Sequence, residues 1–224
     1  MPTAEQPIRS FHPRRGRVTV RQAAAIDELW PSHGVDVDGQ PLDLAVLFGN
    51  QRPVVLEIGF GTGEATATMA GADPMTNVLA VDVHTPGFGR LLQRIGSQGL
   101  DHVRVASGDA VDLLRDMLAP GSLAGIRIFF PDPWPKARHH KRRLVQASFV
   151  GLAVSRLAPG GYLHVATDWW PYAEQMREVL DAEPTLGLSD DGTGPRPMDR
   201  PETRYERAGL AKGHEVVDLV YVLA

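Results

Sequence analysis

Apolar residues gather along this chain in short unbroken runs, and the stretches between them carry helical spacing. The runs fall at Val54–Ile58, Val78–Val83, Val103–Ala106, Ile126–Phe130 and Tyr162–Thr167. Each is short and bounded by breakers, as suits a strand buried on both faces. The clearest helix is predicted from about His140 to Leu157, with Leu144, Val145, Ser148, Phe149, Leu152, Ala153 and Leu157 on one face. Pro159-Gly160-Gly161 should stop it. After Trp169–Asp181, the Gly/Pro-rich segment 184–201 reads as a surface loop around one short strand. Val216–Leu223 reads as a final strand added late and antiparallel. Upstream, residues 1–20 read as an irregular basic arm and Arg21–Trp30 as a short helix ended by Pro31. Strands alternating with helices predict the α/β class, with a doubly wound, mostly parallel sheet. The expected division is a basic arm and short helix over 1–30 and one domain over 31–224.

Composition narrows the chemistry. A length of 224 residues suits one α/β domain with a substantial core. Nothing approaches the roughly 18 consecutive apolar residues of a membrane span. Cysteine is absent, which removes disulfides, thiolate metal sites and thiol nucleophiles, and fits a cytoplasmic setting. The net charge of −4 argues against a polyanionic partner until its distribution is read. Residues 1–22 carry five Arg against one Glu, and residues 133–167 carry six Lys/Arg and no acid, so these segments hold +10 and the rest −14. Clustering of this kind, rather than net charge, marks a phosphate-binding footprint.

Two motifs sit where strands end. Val54–Ile58 feeds Gly59-Phe60-Gly61-Thr62-Gly63-Glu64. A pyrophosphate fingerprint would want a third glycine at 64, where Glu stands instead. With Glu57 before it, the loop suits a ligand without phosphate and with some positive charge, such as S-adenosylmethionine. Asp82 follows Gly63 by 19 residues, near the ~20-residue offset at which an acid takes ribose hydroxyls in this fold class. Asp109 is either an acceptor for an adenine amino group or an N-cap for the helix Ala110–Leu118. Asp132 and Asp168 also fall at strand carboxyl ends, the edge where open α/β sheets bind ligands.

The second motif is Pro131-Asp132-Pro133-Trp134-Pro135-Lys136. Its three prolines forbid a continued ladder or helix and stiffen the exit from the strand. Five cations and two histidines lie within residues 136–143. Arg138, His139, His140, Lys141, Arg142 and Arg143 read as phosphate contacts, with a solvated face as the alternative. Trp134 either supports an exposed nucleic-acid base or packs the loop. Adjacent histidines in a basic run do not make a metal site, and no metal is expected.

These motifs together resemble the bacterial tRNA (guanine-N7-)-methyltransferases, class I, Rossmann-like S-adenosylmethionine enzymes. The resemblance runs from about Arg9 to Leu223 and rests on Arg9-Ser10-Phe11 with Gly16-Arg17, Leu29-Trp30-Pro31, LEIGFGTGE, VHTPGFG, FFPDPWPKARHHKRR, ATDWWPYA and RPETRYERAGLAKGHEVVDLVY. It implies a seven-stranded sheet with a late antiparallel strand. It implies that Glu57, Gly59, Gly61, Gly63, Asp82, Asp109 and Asp132 line the cofactor site. It implies that Lys136, Asp168, Thr203 and Glu206 meet the substrate, that residues 138–143 contact RNA, and that the product is 7-methylguanosine at tRNA position 46. Asp82 stands where many relatives carry Glu, and Arg204-Tyr205 where Lys-Phe is common. No DNA or membrane partner is expected, and the chain is expected to be a monomer or homodimer.

Guanine N7 carries a free lone pair and no proton, so no strong general base is needed. Asp132 is the expected catalytic carboxylate, stabilising positive charge that develops on the ring. Three rivals remain. An exocyclic-amine methyltransferase would want consecutive prolines after Asp132. A small-molecule methyltransferase would leave the basic strip unused. A non-catalytic tRNA-binding module would not need Asp132, Thr203 and Glu206.

Overall fold

The computed structural model describes residues 17–194 and 200–224. The arm before Arg17, including Arg9-Ser10-Phe11 and Gly16, lies outside the described residues. The first helix, α1 (Val20–His33), opens on a capping box in which Thr19 and Gln22 exchange side-chain and backbone bonds. It continues through Pro31, which the sequence reading made its end. Pro31 falls in the last turn, where one missing amide bond is tolerated, and the Gly34 N–H closes the helix on the Trp30 carbonyl.

The described strands are β1 (Gly34–Asp36), β2 (Val54–Ile58), β3 (Asn77–Asp82), β4 (Val103–Ser107), β5 (Leu123–Phe129), β6 (Leu157–Thr167), β7 (Leu186–Gly194) and β8 (Val217–Leu223). They form one sheet in the order β1-β4-β3-β2-β5-β6-β8-β7. Every pairing is parallel except those of β8, which runs antiparallel to both β6 and β7. The doubly wound sheet and its late antiparallel strand are therefore present. The eighth strand is β1, a three-residue edge piece too short to register as an apolar run.

Two expected boundaries move. The segment 140–157 is not one helix: a 3₁₀ turn covers Ala137–Arg142 and α6 only Ala147–Val154. Between them, side chains take over the backbone bonding. The Tyr172 hydroxyl accepts from the Val145 N–H at 3.1 Å, and Gln146 Nε2 donates to the Lys141 carbonyl at 3.1 Å. Pro159-Gly160-Gly161 does not precede β6 but lies within it. Leu123 pairs with Leu157 and Gly125 with Tyr162, so the chain has joined the sheet before the proline and bulges across it. The segment 184–201, expected as a loop around one short strand, holds β7, and residues 195–199 lie outside the described residues.

The other helices are α2 (Leu44–Phe48), α3 (Glu64–Ala72), α4 (Thr85–Gln98), α5 (Ala110–Asp112, continued by a π-helical turn), α7 (Trp170–Asp181) and α8 (Arg204–Leu210). They cover the sheet with two apolar layers. One gathers Leu56, Ile126, Ile128, Phe149, Leu163 and Tyr172. The other joins α1 and α4 to β4 through Phe60, Phe88, Leu91 and Val105, with Trp30 against Phe88 at 5.7 Å. β2 sits beside β3 on one side and β5 on the other, so the winding direction reverses between β2 and β5. Open α/β sheets bind ligands at this crevice.

Candidate functional site

The crevice is walled by Glu57, Gly59 and Phe60 from the β2 end and by Phe129 and Phe130 from the β5 end. Thr203 and Tyr205, at the start of α8, close its third side. Gly59, Gly61 and Gly63 take φ of 78°, 58° and 67°, a succession that side-chain-bearing residues rarely adopt. Gly87 of α4 approaches so closely that an added Cβ would stand 2.3 Å from the Gly61 carbonyl oxygen, so α4 buttresses the glycine loop only because this position is bare.

Asp82 is the organiser of this loop. Its Oδ2 accepts the Gly61 N–H at 3.0 Å, and Oδ1 accepts those of Val83 at 2.7 Å and His84 at 3.0 Å. Three backbone bonds occupy most of a carboxylate's roughly four acceptor positions, leaving room for about one ligand hydroxyl. Asp109 takes the capping alternative, with Oδ1 accepting the Val111 N–H at 2.9 Å at the head of α5.

Glu57 is only 3% exposed. The Thr66 hydroxyl donates to its Oε1 at 2.9 Å, while the buried Oε2 has no hydrogen-bond partner. Burial pushes its carboxyl up from 4.5 to about 7, against the Thr66 bond and the Arg127 charge, with Asp82 adding repulsion. A buried acid with an unsatisfied oxygen, next to three left-handed glycines, fits a compact cationic ligand. S-adenosylmethionine meets that description, and a pyrophosphate does not.

The raised Glu57 pKa has a definite sign. The folded apo protein holds this proton to a higher pH than the unfolded chain, so apo stability should fall as pH rises from about 4.5 to about 7 and level off above. A cation arriving beside Glu57 should expel the proton. Titration of S-adenosylmethionine near pH 6.5 in buffers of different ionisation enthalpy should then show net proton release. Glu57→Gln should abolish that release and flatten the melting temperature across the window. Unchanged proton release in Glu57→Gln would place its source elsewhere.

Beyond β5 the chain turns through two bulky residues with left-handed backbone, Phe130 (φ 54°) and Trp134 (φ 44°). Such conformations cost of order 1–3 kcal/mol and persist only where surroundings impose them. At Trp134 the imposing group is Arg143. It is 2% exposed, beneath the loop, with Nε donating to the Pro133 carbonyl at 2.8 Å and Nη1 to Gln175 Oε1. Its guanidinium lies over the Tyr172 ring at 4.8 Å. Arg143 was expected to contact RNA; the structure makes it the strut of the Asp132 loop instead. Trp134 is also engaged, under the Arg142 guanidinium at 5.0 Å and edge-on to His139 at 5.7 Å.

Lys136, Arg138, Lys141 and Arg142 are exposed, and His139 and His140 are half-buried beside them. His139 is held below its ordinary pKa by desolvation and by the positive charges of Arg142, Arg138 and Lys136. Arg142→Ala should therefore reduce the slope of log K against log salt for RNA binding by about one unit. Arg143→Ala should leave that slope alone and lower the melting temperature, because it removes a buried strut. Equal salt effects from both substitutions would contradict this division.

Asp168 is paired with His214, Oδ2 to Nδ1 at 3.1 Å. Thr203 and Glu206 form the capping box of α8. Glu206, expected to meet the substrate, is 4% exposed and ion-paired to Arg200 at 2.7 Å, so its carboxylate faces inward. Arg200, its partner Asp218 and the His164 bonded to that same carboxylate were not among the expected site residues. The available signal was a charged or titratable residue inside two apolar strands, LHVAT and VDLVYVL, which demands a buried partner.

A family model described as "Putative methyltransferase" matches residues 51–219. The tRNA (guanine-N(7)-)-methyltransferase of Streptomyces coelicolor is 62% identical over 97% of this chain and 81% of its own length. That of Nitrosospira multiformis is 53% identical over 96% of this chain and 94% of its own. The chain belongs to this family. Among solved structures, the 16S rRNA methyltransferase KamB superposes with a TM-score of 0.60 at 18% identity, covering 83% of this chain and 95% of that one. An rRNA methylase from Streptococcus thermophilus gives 0.53 at 15%, covering 77% and 87%. At these identities the likeness is one of fold. Among the described residues no helix is long and apolar enough to cross a membrane, and no cluster of three or more His, Cys, Asp or Glu could hold a metal.

Proposed function

We propose that this chain methylates N7 of a guanosine in tRNA, at position 46 of the variable loop, with S-adenosylmethionine as donor. The observation that carries the reading is a buried unsatisfied Glu57 carboxylate near the end of β2, with the Asp132 loop and an exposed row of cations leaving the same sheet edge from the adjacent parallel β5. Membership of the family supports it independently. When bound, S-adenosylmethionine supplies an electrophilic methyl group on a sulfonium. Glu57 and the Gly59–Gly63 loop would hold its cationic end, and Asp82 one ribose hydroxyl.

On the RNA side, Lys136, Arg138, Lys141 and Arg142 neutralise phosphates and set the approach of the guanosine. The Asp132 carboxylate accepts from the guanine N1/N2 edge and stabilises the positive charge the ring acquires as N7 gains its bond. Nothing has to remove a proton before that bond forms. Catalysis therefore rests on alignment and preorganised charge, which suits a loop pinned from beneath by Arg143. Transcripts of a substrate tRNA test the position directly. One with guanosine 46 should take up one methyl group, and one with adenosine there should take none. Equal labelling of both would move the target to another guanosine.

A further inference from the structure

The segment from Arg200 into α8 passes along the open side of the cofactor pocket, and one buried cation determines where it lies. Arg200 is 1% exposed. Its Nε and Nη2 each donate to one oxygen of Asp218 at 2.7 Å, and Nη1 donates to Glu206 Oε2 at 2.7 Å. Phe129 and Phe130 each bring a ring centroid to 5.6 Å from the guanidinium. Asp218 is bonded in turn to His164 Nε2 at 2.7 Å.

Desolvating a cation and two carboxylates offsets much of what their pairing returns, so such a cluster adds little stability over well-packed apolar side chains. What the planar fork supplies is direction. The parts it directs are two walls of the pocket. Glu206 shares its capping box with Thr203, which faces the pocket with Tyr205. Phe130 is the left-handed residue from which the Asp132 loop departs.

We propose that Arg200 is a positioning residue for methyl transfer. It sets the start of α8 and the Phe130 hinge against the cofactor pocket, and Glu206 acts through it rather than by touching RNA. The proposal rests on the methyltransferase reading above. Glu206→Gln tests it gently, since Gln still completes a capping box and the Arg200–Asp218 fork stays intact. Arg200→Lys keeps the charge and loses the fork.

Four readouts are taken well below the melting temperature. Amide exchange over residues 203–210 should quicken about ten-fold in Glu206→Gln, with β2 and β5 exchanging as in wild type. S-adenosylmethionine affinity should fall about ten-fold and single-turnover methylation about thirty-fold, with tRNA affinity unchanged. Arg200→Lys should exceed these effects; if it does not fold, Glu206→Gln decides alone. Wild-type exchange, cofactor affinity or methylation rate in Glu206→Gln would overturn the proposal. So would weakened tRNA binding with cofactor affinity intact, the mark of a direct RNA contact. Failure of the underlying reading shows separately, in wild-type protein that does not bind S-adenosylmethionine or methylate tRNA.

Discussion

Replacing Asp132 by Asn should lower kcat by roughly 10²–10³ while both substrates still bind. Asn keeps the size of the side chain and some of its hydrogen bonding but removes the charge. If the carboxylate serves mainly to stabilise a cationic ring, the loss should appear in the chemical step and leave KM for tRNA nearly unchanged. The fold should survive, because the loop's shape comes from elsewhere. Arg143 holds the Pro133 carbonyl from below, and Phe130 and Trp134 set the backbone at either end. Single-turnover kinetics with saturating tRNA separates the chemical step from binding. A rate within about two-fold of wild type would assign the stabilising charge to another group.

Asp82→Ala should weaken S-adenosylmethionine binding on the order of 100-fold and leave tRNA affinity within about two-fold. The size of the effect comes from the dual task of this carboxylate. In the proposed site it takes a ribose hydroxyl, and it also accepts three backbone N–H groups that shape the loop from Gly61 and the entry to α4. Alanine removes the ligand contact and releases the cradle together. Calorimetric titration of cofactor and tRNA in turn checks it. Unchanged cofactor affinity would remove Asp82 from the site.

The parts of the fold legible in the sequence were those fixed by burial on both faces. β2, β3 and β4 stand out as apolar runs between breakers, and each keeps its predicted position to within a residue. The acids at strand ends could be located for the same reason, since the end of a run marks the carboxyl edge. Elements set by partners rather than pattern were not legible. β1 is three residues that pair with β4 because α1 delivers them there. The expected helix at 140–157 breaks because the Arg143 side chain turns inward and Tyr172 claims the Val145 amide.

Arg142 and Arg143 illustrate the limit most sharply. They are adjacent, chemically identical and inside one basic run, yet one is exposed over Trp134 and the other is a buried strut. Nothing local in the sequence distinguishes them. The distinction comes from Pro133, Tyr172 and Gln175, brought together only when the loop folds over α7. Arg200 is similar: its partners lie 6 and 18 residues on in the chain, and the rings flanking it lie on β5 and just beyond.

Methyl transfer from S-adenosylmethionine to guanine N7 at the Asp132 loop is tested by nucleoside mass spectrometry of tRNA incubated with the protein and methyl-labelled S-adenosylmethionine, for wild type and Asp132→Asn side by side. Wild type should give labelled 7-methylguanosine, and the variant strongly reduced label. Label on an exocyclic amine or a ribose, or no label from the folded wild-type protein, would contradict it.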